Sequence, residues 1–331
     1  MGLIRIPYDD ARLVGAQVDL LNAARAVDDP DDWPALPELR ALDIRYGWDL
    51  RPEEYYLYFV DGSSQPVGAL TVELPSWDNE NLVWAELTVH PDHRRQGHGS
   101  ALMAALLDRA REAGRTTVWL EAAEGDVGAR AFLESFGFAY ASHDARNRQV
   151  LAEVDPAEIE RLYAQAVVAA KDYRLERIVP PVSDELMTEL ALVSGAINDA
   201  PMGALTFEEE RFDLARLRAV ETARALRGES LYWLAARHQQ SGEIGGHTQI
   251  FVQARRPLVG KQTDTAVARN HRGHRLGMLL KIEMMRWLAE AEPQLTVIET
   301  SNQVDNNFMI KVNEALGYRL SRVFDTYELT L

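Results

Sequence analysis

The chain of 331 residues contains no cysteine. That excludes disulfides, thiolate metal sites and a cysteine nucleophile, and it fits a cytoplasmic protein. No apolar run approaches the roughly 18 residues that a bilayer span requires, so a membrane protein is not expected. The opening Met1-Gly2-Leu3-Ile4-Arg5-Ile6 leads into charged sequence without a signal-like apolar stretch. Ile6 also stands where a myristoylation motif needs Ser or Thr. Positive charge is scarce: 35 Lys and Arg face 51 Asp and Glu, a net charge of −16, which disfavours nonspecific nucleic-acid binding. Most of the deficit lies in residues 1–170, where 15 cations against 29 anions give −14; residues 171–331, with 20 against 22, give −2.

The chain has ample apolar content, 47% of residues, and its length suggests two domains, each able to bury a core. Two segments repeat. Glu86-Leu87-Thr88-Val89-His90-Pro91-Asp92-His93-Arg94-Arg95-Gln96-Gly97-His98-Gly99 superposes, at an offset of 178, on the segment from Asp264 to Gly277. The shift lays Val89 on Val267, His93 on His271, Arg94 on Arg272 and Gly99 on Gly277. Phe136-Gly137-Phe138 matches Leu316-Gly317-Tyr318 at an offset of 180. In both copies alternation predicts a strand (Leu82 to Val89; Thr263 to Val267), then a Gly- and Arg-bearing loop, then an amphipathic helix. The repeat predicts domains at 1–154 and 172–331 joined by a helical connector over 155–171.

A strand that runs into Arg-x-x-Gly-x-Gly and then a helix suits a phosphate. The first helical amides lack intrahelical partners, the helix dipole adds positive potential, and glycine lets the backbone approach a ligand. One isolated match is equally a helix-start turn with solvated arginines. Two matches in the same strand–loop–helix context favour phosphate.

The segment from Val89 to Gly99 resembles the pyrophosphate loop of GNAT acetyltransferases, and Phe132 to Phe138 resembles their later helix that ends in Gly-Phe. The likeness covers nearly the whole chain as two units, similar to the two-domain arrangement of mycothiol synthase and its actinobacterial relatives. It implies an α/β fold with a mixed sheet in each of two tandem acyl-CoA-binding domains, and acetyl-CoA-dependent acyl transfer to a small-molecule amine. The cofactor set that it implies in the first copy is Leu87, Val89, Arg94, Arg95, Gln96, Gly97, His98, Gly99 and Ser100. In the second copy the set is Ala266, Val267, Arg272, Gly273, His274, Arg275, Leu276 and Gly277, with Asn302 and Asn306. No nucleic acid, membrane or metal partner is implied, and the chain is expected to be a monomer or homodimer.

The copies depart from the family differently. Asp126 and Leu133 occupy positions that usually hold Asn and a Tyr that protonates the leaving thiolate; the second copy has Asn306 and Asn313 there. An amide donates a hydrogen bond but supplies no proton as a phenol does, so a Tyr acid at that position is excluded in both copies. Arg275 replaces the middle loop glycine; it can still offer its amide if its φ is negative, and its guanidinium could contact a phosphate. Asn313, mid-helix, is expected to face the cofactor thiol. Asp264 and Glu86 precede the loops as equivalent strand carboxylates, and either could take the proton of an ammonium nucleophile. The other reading makes them strand carboxylates that pair with Arg or face water. Asp199, in Asp199-Ala200-Pro201-Met202-Gly203, either meets a cationic acceptor or builds a turn. The run Asp28-Asp29-Pro30-Asp31-Asp32 reads as a solvated loop. A non-catalytic acyl-CoA sensor and a transferase of larger acyl groups are the competing functions.

Overall fold

A computed structural model describes residues 2–331. Two compact units emerge. Of the described residues, the first comprises 2–141, 205–208 and 325–331, and the second comprises 142–204 and 209–324. This grouping departs from the predicted division at 154 and 172. The strand over 142–150 belongs with the second unit, and the chain's last residues belong with the first. A helix does occupy the predicted connector, at 156–169.

The first unit runs β1 (Gly2–Arg5), α1 (Ala11–Asp28), α2 (Pro37–Tyr46), β2 (Glu54–Phe59), β3 (Gly68–Glu73), β4 (Leu82–Val89), α3 (His98–Glu112), β5 (Thr117–Ala123) and α4 (Val127–Ser135). Strands lie in the order β1-β2-β3-β4-β5. Neighbours are antiparallel except β4 and β5, which are parallel. Asp10 starts α1, its side chain accepting from the amides of Arg12 and Leu13. On α3, Leu102, Met103, Leu106 and Ala110 recur at helical spacing and are fully buried against the sheet with Val83, Val118 and Leu120. The opposite face buries Leu13, Val14, Ile44 and Leu57 beneath α1 and α2.

Segment 205–208 is bound into this unit. The Asn79 side chain pairs with both backbone groups of Glu208, Phe207 stacks on Trp119, and Glu328 accepts from Trp119 Nε1 and from Thr206.

The second unit holds most of β6 (Ala139–Val150), then α5 (Pro156–Ala169), β7 (Tyr173–Ile178), α6 (Asp184–Ser194), α7 (Leu214–Leu226), β8 (Glu229–His238) and β9 (Ile244–Gln253). It continues through β10 (Arg256–Val267), α8 (Leu276–Ala291), β11 (Val297–Gln303) and α9 (Asn307–Ala315) into β12 (Arg319–Thr330), whose end from Asp325 lies in the first unit. The order β7-β8-β9-β10-β11 repeats that of the first sheet, with β10 and β11 parallel and β6 antiparallel on the far side of β11. One face buries Leu276, Leu280, Met284 and Leu288 of α8, and the other buries Met187 and Leu190 of α6 with Leu217 of α7.

Candidate functional site

Each sheet opens at its parallel pair. The β4–β5 register runs from Leu82 and Thr117 to Ala85 and Leu120; the β10–β11 register runs from Val259 and Val297 to Lys261 and Glu299. Beyond those points β4 and β10 continue toward the loops. In β10 a register shift between Gln262 and Thr265 adds a bulge. Because His90 N bonds Val67 O and Ala268 N bonds Val67's counterpart Gly245 O, the preceding Val89 and Val267 turn their own N–H and C=O toward the opened edge.

The loops that follow share one backbone form. In the first, Arg95 (φ 62°) and Gly97 (φ 87°) are left-handed; in the second, Gly273 (φ 86°) and Arg275 (φ 55°) are. Gly and Arg have changed places between two equivalent positions. Arg275 therefore does not meet the condition of negative φ, and its guanidinium donates to Gln165 Oε1 at 2.6 Å. A Cβ added at Gly97 or Gly273 would meet nothing within 4 Å, so space lies open over both loops. No side chain caps the first turn of α3 or α8, which leaves their amide groups free for an anion.

Equivalent cavities result. In the second unit a cavity of about 380 Å³ is lined by Thr265, Ala266 and Val267, by Arg272, Gly273, Arg275, Leu276 and Gly277, and by Asn306, Phe308 and Met309. In the first, a cavity of about 450 Å³ is lined by Leu87, Thr88 and Val89, by Arg94, Arg95, Gly97, Gly99 and Ser100, and by Asp126, Gly128, Ala129 and Phe132. Other predicted residues lie outside these walls. Gln96 donates to Asp92 O at 3.3 Å, the His98 ring packs by Tyr58, and the His274 ring packs by Tyr173.

A carboxylate meets the loop arginine in both cavities. Arg94 donates through Nε to Val89 O (3.2 Å) and through its two terminal nitrogens to Asp28 (2.8 and 2.6 Å). Arg272 donates through Nε to Val267 O (3.1 Å) and through Nη2 to Asp199 (2.5 Å), whose other oxygen accepts from Arg269 (2.5 Å). These donors hold the Asp199 carboxyl below the usual carboxylate range. Asp28 is thus an ion-pair partner rather than part of a solvated loop. Asp199 meets loop arginines and builds the cavity wall. Sequence reasoning could not couple these partners, which lie 66 and 73 residues apart.

Asn306 and Asp126 are helix N-caps, accepting from Met309 N (3.2 Å) and Ala129 N (2.9 Å). Both still line their cavities. Asn313 is buried and donates to Asn302 Oδ1 at 2.7 Å, and neither residue lines the cavity. Leu133 is simply core.

Asp264, in the β10 bulge, is half-buried, and burial raises its pKa against the opposing charges of Arg224 and Arg216 on α7. Those arginines are committed elsewhere, Arg224 to Glu229 at 2.9 Å and Arg216 to Glu210 at 2.5 Å. Glu86 is exposed on β4. Near it, Glu53 was not singled out by the sequence; burial pushes its carboxyl up to about 7, with Glu73 and Glu86 adding repulsion. Another such group is Lys281 on α8, buried, pushed down to about 7, and donating to Gln262 Oε1 at 2.5 Å.

Comparisons with known proteins agree with this architecture. Residues 20–138 match the acetyltransferase (GNAT) family. A solved tandem GNAT protein from the clavulanic acid biosynthesis pathway superposes with a TM-score of 0.80 at 26% identity, covering 99% of this chain and 98% of that one. The chain has the fold of a tandem GNAT protein. Among curated GNAT relatives, a mycothiol acetyltransferase of Stackebrandtia nassauensis is 33% identical over 126 residues, 38% of this chain and 39% of the relative. One from Streptosporangium roseum is 36% identical over 132 residues, 39% of this chain and 35% of the relative. The matched segments thus span less than half of those relatives. Among the described residues no helix is long and apolar enough to cross a membrane.

The residues present fit the CoA that GNAT folds imply. The open-edge amides, uncapped helix starts, glycine-opened space and guanidinium groups together suit a diphosphate followed by a narrow extended arm.

Proposed function

We propose that this tandem GNAT protein is an acetyl-CoA-dependent N-acetyltransferase for a small cationic primary amine, with the chemistry in the second unit. The observation that carries the reading is the β10 cleft. It combines an uncapped helix start, loop arginines and the inward-facing Val267 amide, while Asp264 lies outside the cavity wall, in the bulge of the same strand directly before the lining residue Thr265. The fold neighbours and the mycothiol acetyltransferase relatives support the same class.

Bound acetyl-CoA supplies an activated acyl group as a thioester. The chain's own groups then have distinct tasks. The α8 amides and Arg272 hold the diphosphate end. The Val267 N–H is an oxyanion donor at the opened edge. Asp264 receives the ammonium proton so that a neutral amine can attack; its raised pKa makes it a better base than an ordinary carboxylate. The cleft of the first unit carries Asp28 and Asp126 against Arg94 and Arg95, whereas the second carries Asp199 against Arg272 and Arg275, with neutral Asn306 in the Asp126 position. The second therefore attracts an anionic cofactor more strongly.

One observation favours a second reading, a non-catalytic acyl-CoA sensor: neither Leu133 nor Asn313 can act as a phenolic acid. The experiment that tests the proposal compares kcat/KM for a cationic and a neutral amine of similar size, at low and at high salt. The cationic amine is expected to be preferred at low salt, with the preference shrinking as salt screens the field over about 8 Å at physiological ionic strength. Equal constants without salt dependence would remove charge from acceptor choice.

A further inference from the structure

Both cavities hold a carboxylate on the loop arginine, and both carboxylates end the first helical segment after the unit's first strand, although those segments differ in length. Asp28 is the last residue of α1; Asp199 ends the short 3-10 turn Gly195–Asp199 that follows α6. The loop copies align at an offset of 178, yet the two carboxylates are 171 apart. The pairing therefore recurs in space without being fixed by the loop's own spacing. In each case the arginine is first fixed through Nε to the carbonyl of the last strand residue; Asp28 takes both terminal nitrogens of Arg94, whereas Asp199 takes Nη2 of Arg272 and one nitrogen of Arg269. A carboxylate on a guanidinium presents the same oxygen pair that a phosphate would. It also places a negative charge inside the region where a diphosphate must lie.

We propose that Asp199 in the second cleft, and Asp28 in the first, are specificity-determining residues: resident counter-anions that the ligand's diphosphate must displace or outweigh. This rests on the reading of the clefts as CoA sites. Asp199 neutralises Arg269 and Arg272 together until an anion of higher charge arrives. A ligand with two adjacent phosphates offers enough charge to exchange for the carboxylate. One that carries only the pantetheine arm does not engage the arginines and is indifferent to it. The carboxylate thus lowers each cleft's affinity for diphosphate-bearing thioesters and narrows its preference for them over the pantetheine arm alone.

The test is calorimetric titration of the full chain with CoA and, separately, with acetyl-pantetheine, which lacks the diphosphate. Asp199→Asn keeps the size and some hydrogen-bonding capacity while removing the charge. Asp199→Ser serves as a second replacement should the amide disturb the turn. Removing the charge of an exposed ion pair is a modest change, so CoA is expected to bind about fivefold more tightly in the variant. Acetyl-pantetheine affinity should not change. Asp28→Asn should do the same for the first cleft. Unchanged or weaker CoA binding in both Asp199 variants would overturn the proposal and make Asp199 a support for Arg272. A wild-type chain that binds no CoA would instead refute the underlying reading of the cleft.

Discussion

Arg272→Ala is expected to weaken CoA binding in the second cleft by about 10- to 100-fold, the range that the loss of a charge-assisted hydrogen bond to a phosphate implies. The size of the effect follows from placement. Arg272 is fixed by Val267 O and lines the cavity beside the free first turn of α8. Its removal deletes one positive charge and leaves Asp199 with Arg269 alone, so the local balance shifts toward the anion that a diphosphate must approach. The same change at Arg94 should leave the second cleft untouched. Titration with CoA, comparing the two variants with the parent chain, reads the effect directly. A loss in the Arg94 variant that exceeded the Arg272 loss would mean that the first cleft is the principal cofactor site.

The second large effect concerns proton removal. Asp264→Asn should lower kcat about 10²- to 10⁴-fold, the usual contribution of a general base, while Glu86→Gln leaves it within a few-fold. Burial drives the Asp264 pKa upward, so the base is lost as pH falls through a value above the ordinary carboxylate range. The acid limb of the parent's kcat profile should therefore lie higher than an exposed carboxylate would give. In Asp264→Asn that limb should vanish, leaving a slow rate that rises only as the free amine itself loses its proton. Asn is close in shape to Asp, and CoA affinity should be retained, which separates lost chemistry from lost binding. A profile tracking Glu86, or an unshifted limb in Asp264→Asn, would place the base elsewhere. In the first unit the neighbouring Glu53, raised to about 7, would be the next residue to test.

Much of this architecture was legible in the residues. The repeated strand–loop–helix pattern located both clefts, because loop geometry depends on local residues: left-handed positions, a helix start without a cap, and arginines at fixed spacing. Even there the order of Gly and Arg misled. Arg275 replaces a glycine in the motif but keeps the left-handed backbone, and Gly273 supplies the glycine two residues earlier. What the sequence did not disclose is long-range. Asp28 and Asp199 reach their arginines through tertiary packing of α1 and the turn after α6. Asn313, polar and mid-helix, was expected to point at a ligand, yet packing buries it against Asn302. The compact units differ from the predicted boundaries for a related reason. The Gly-aromatic anchors mark where each later helix ends, but they carry no information on which sheet the next strand joins. Strand 142–150 pairs with β11, and the chain's end, through Leu331 N to Thr116 O, closes on β5.

The most direct measurement is release of free CoA thiol from acetyl-CoA by the full chain, followed with and without a panel of small primary amines. Amine-dependent release, strongest for a cationic amine and abolished by Asp264→Asn, is the expected result. CoA binding without amine-dependent thiol release from any amine would contradict it and leave the protein as an acyl-CoA-binding sensor.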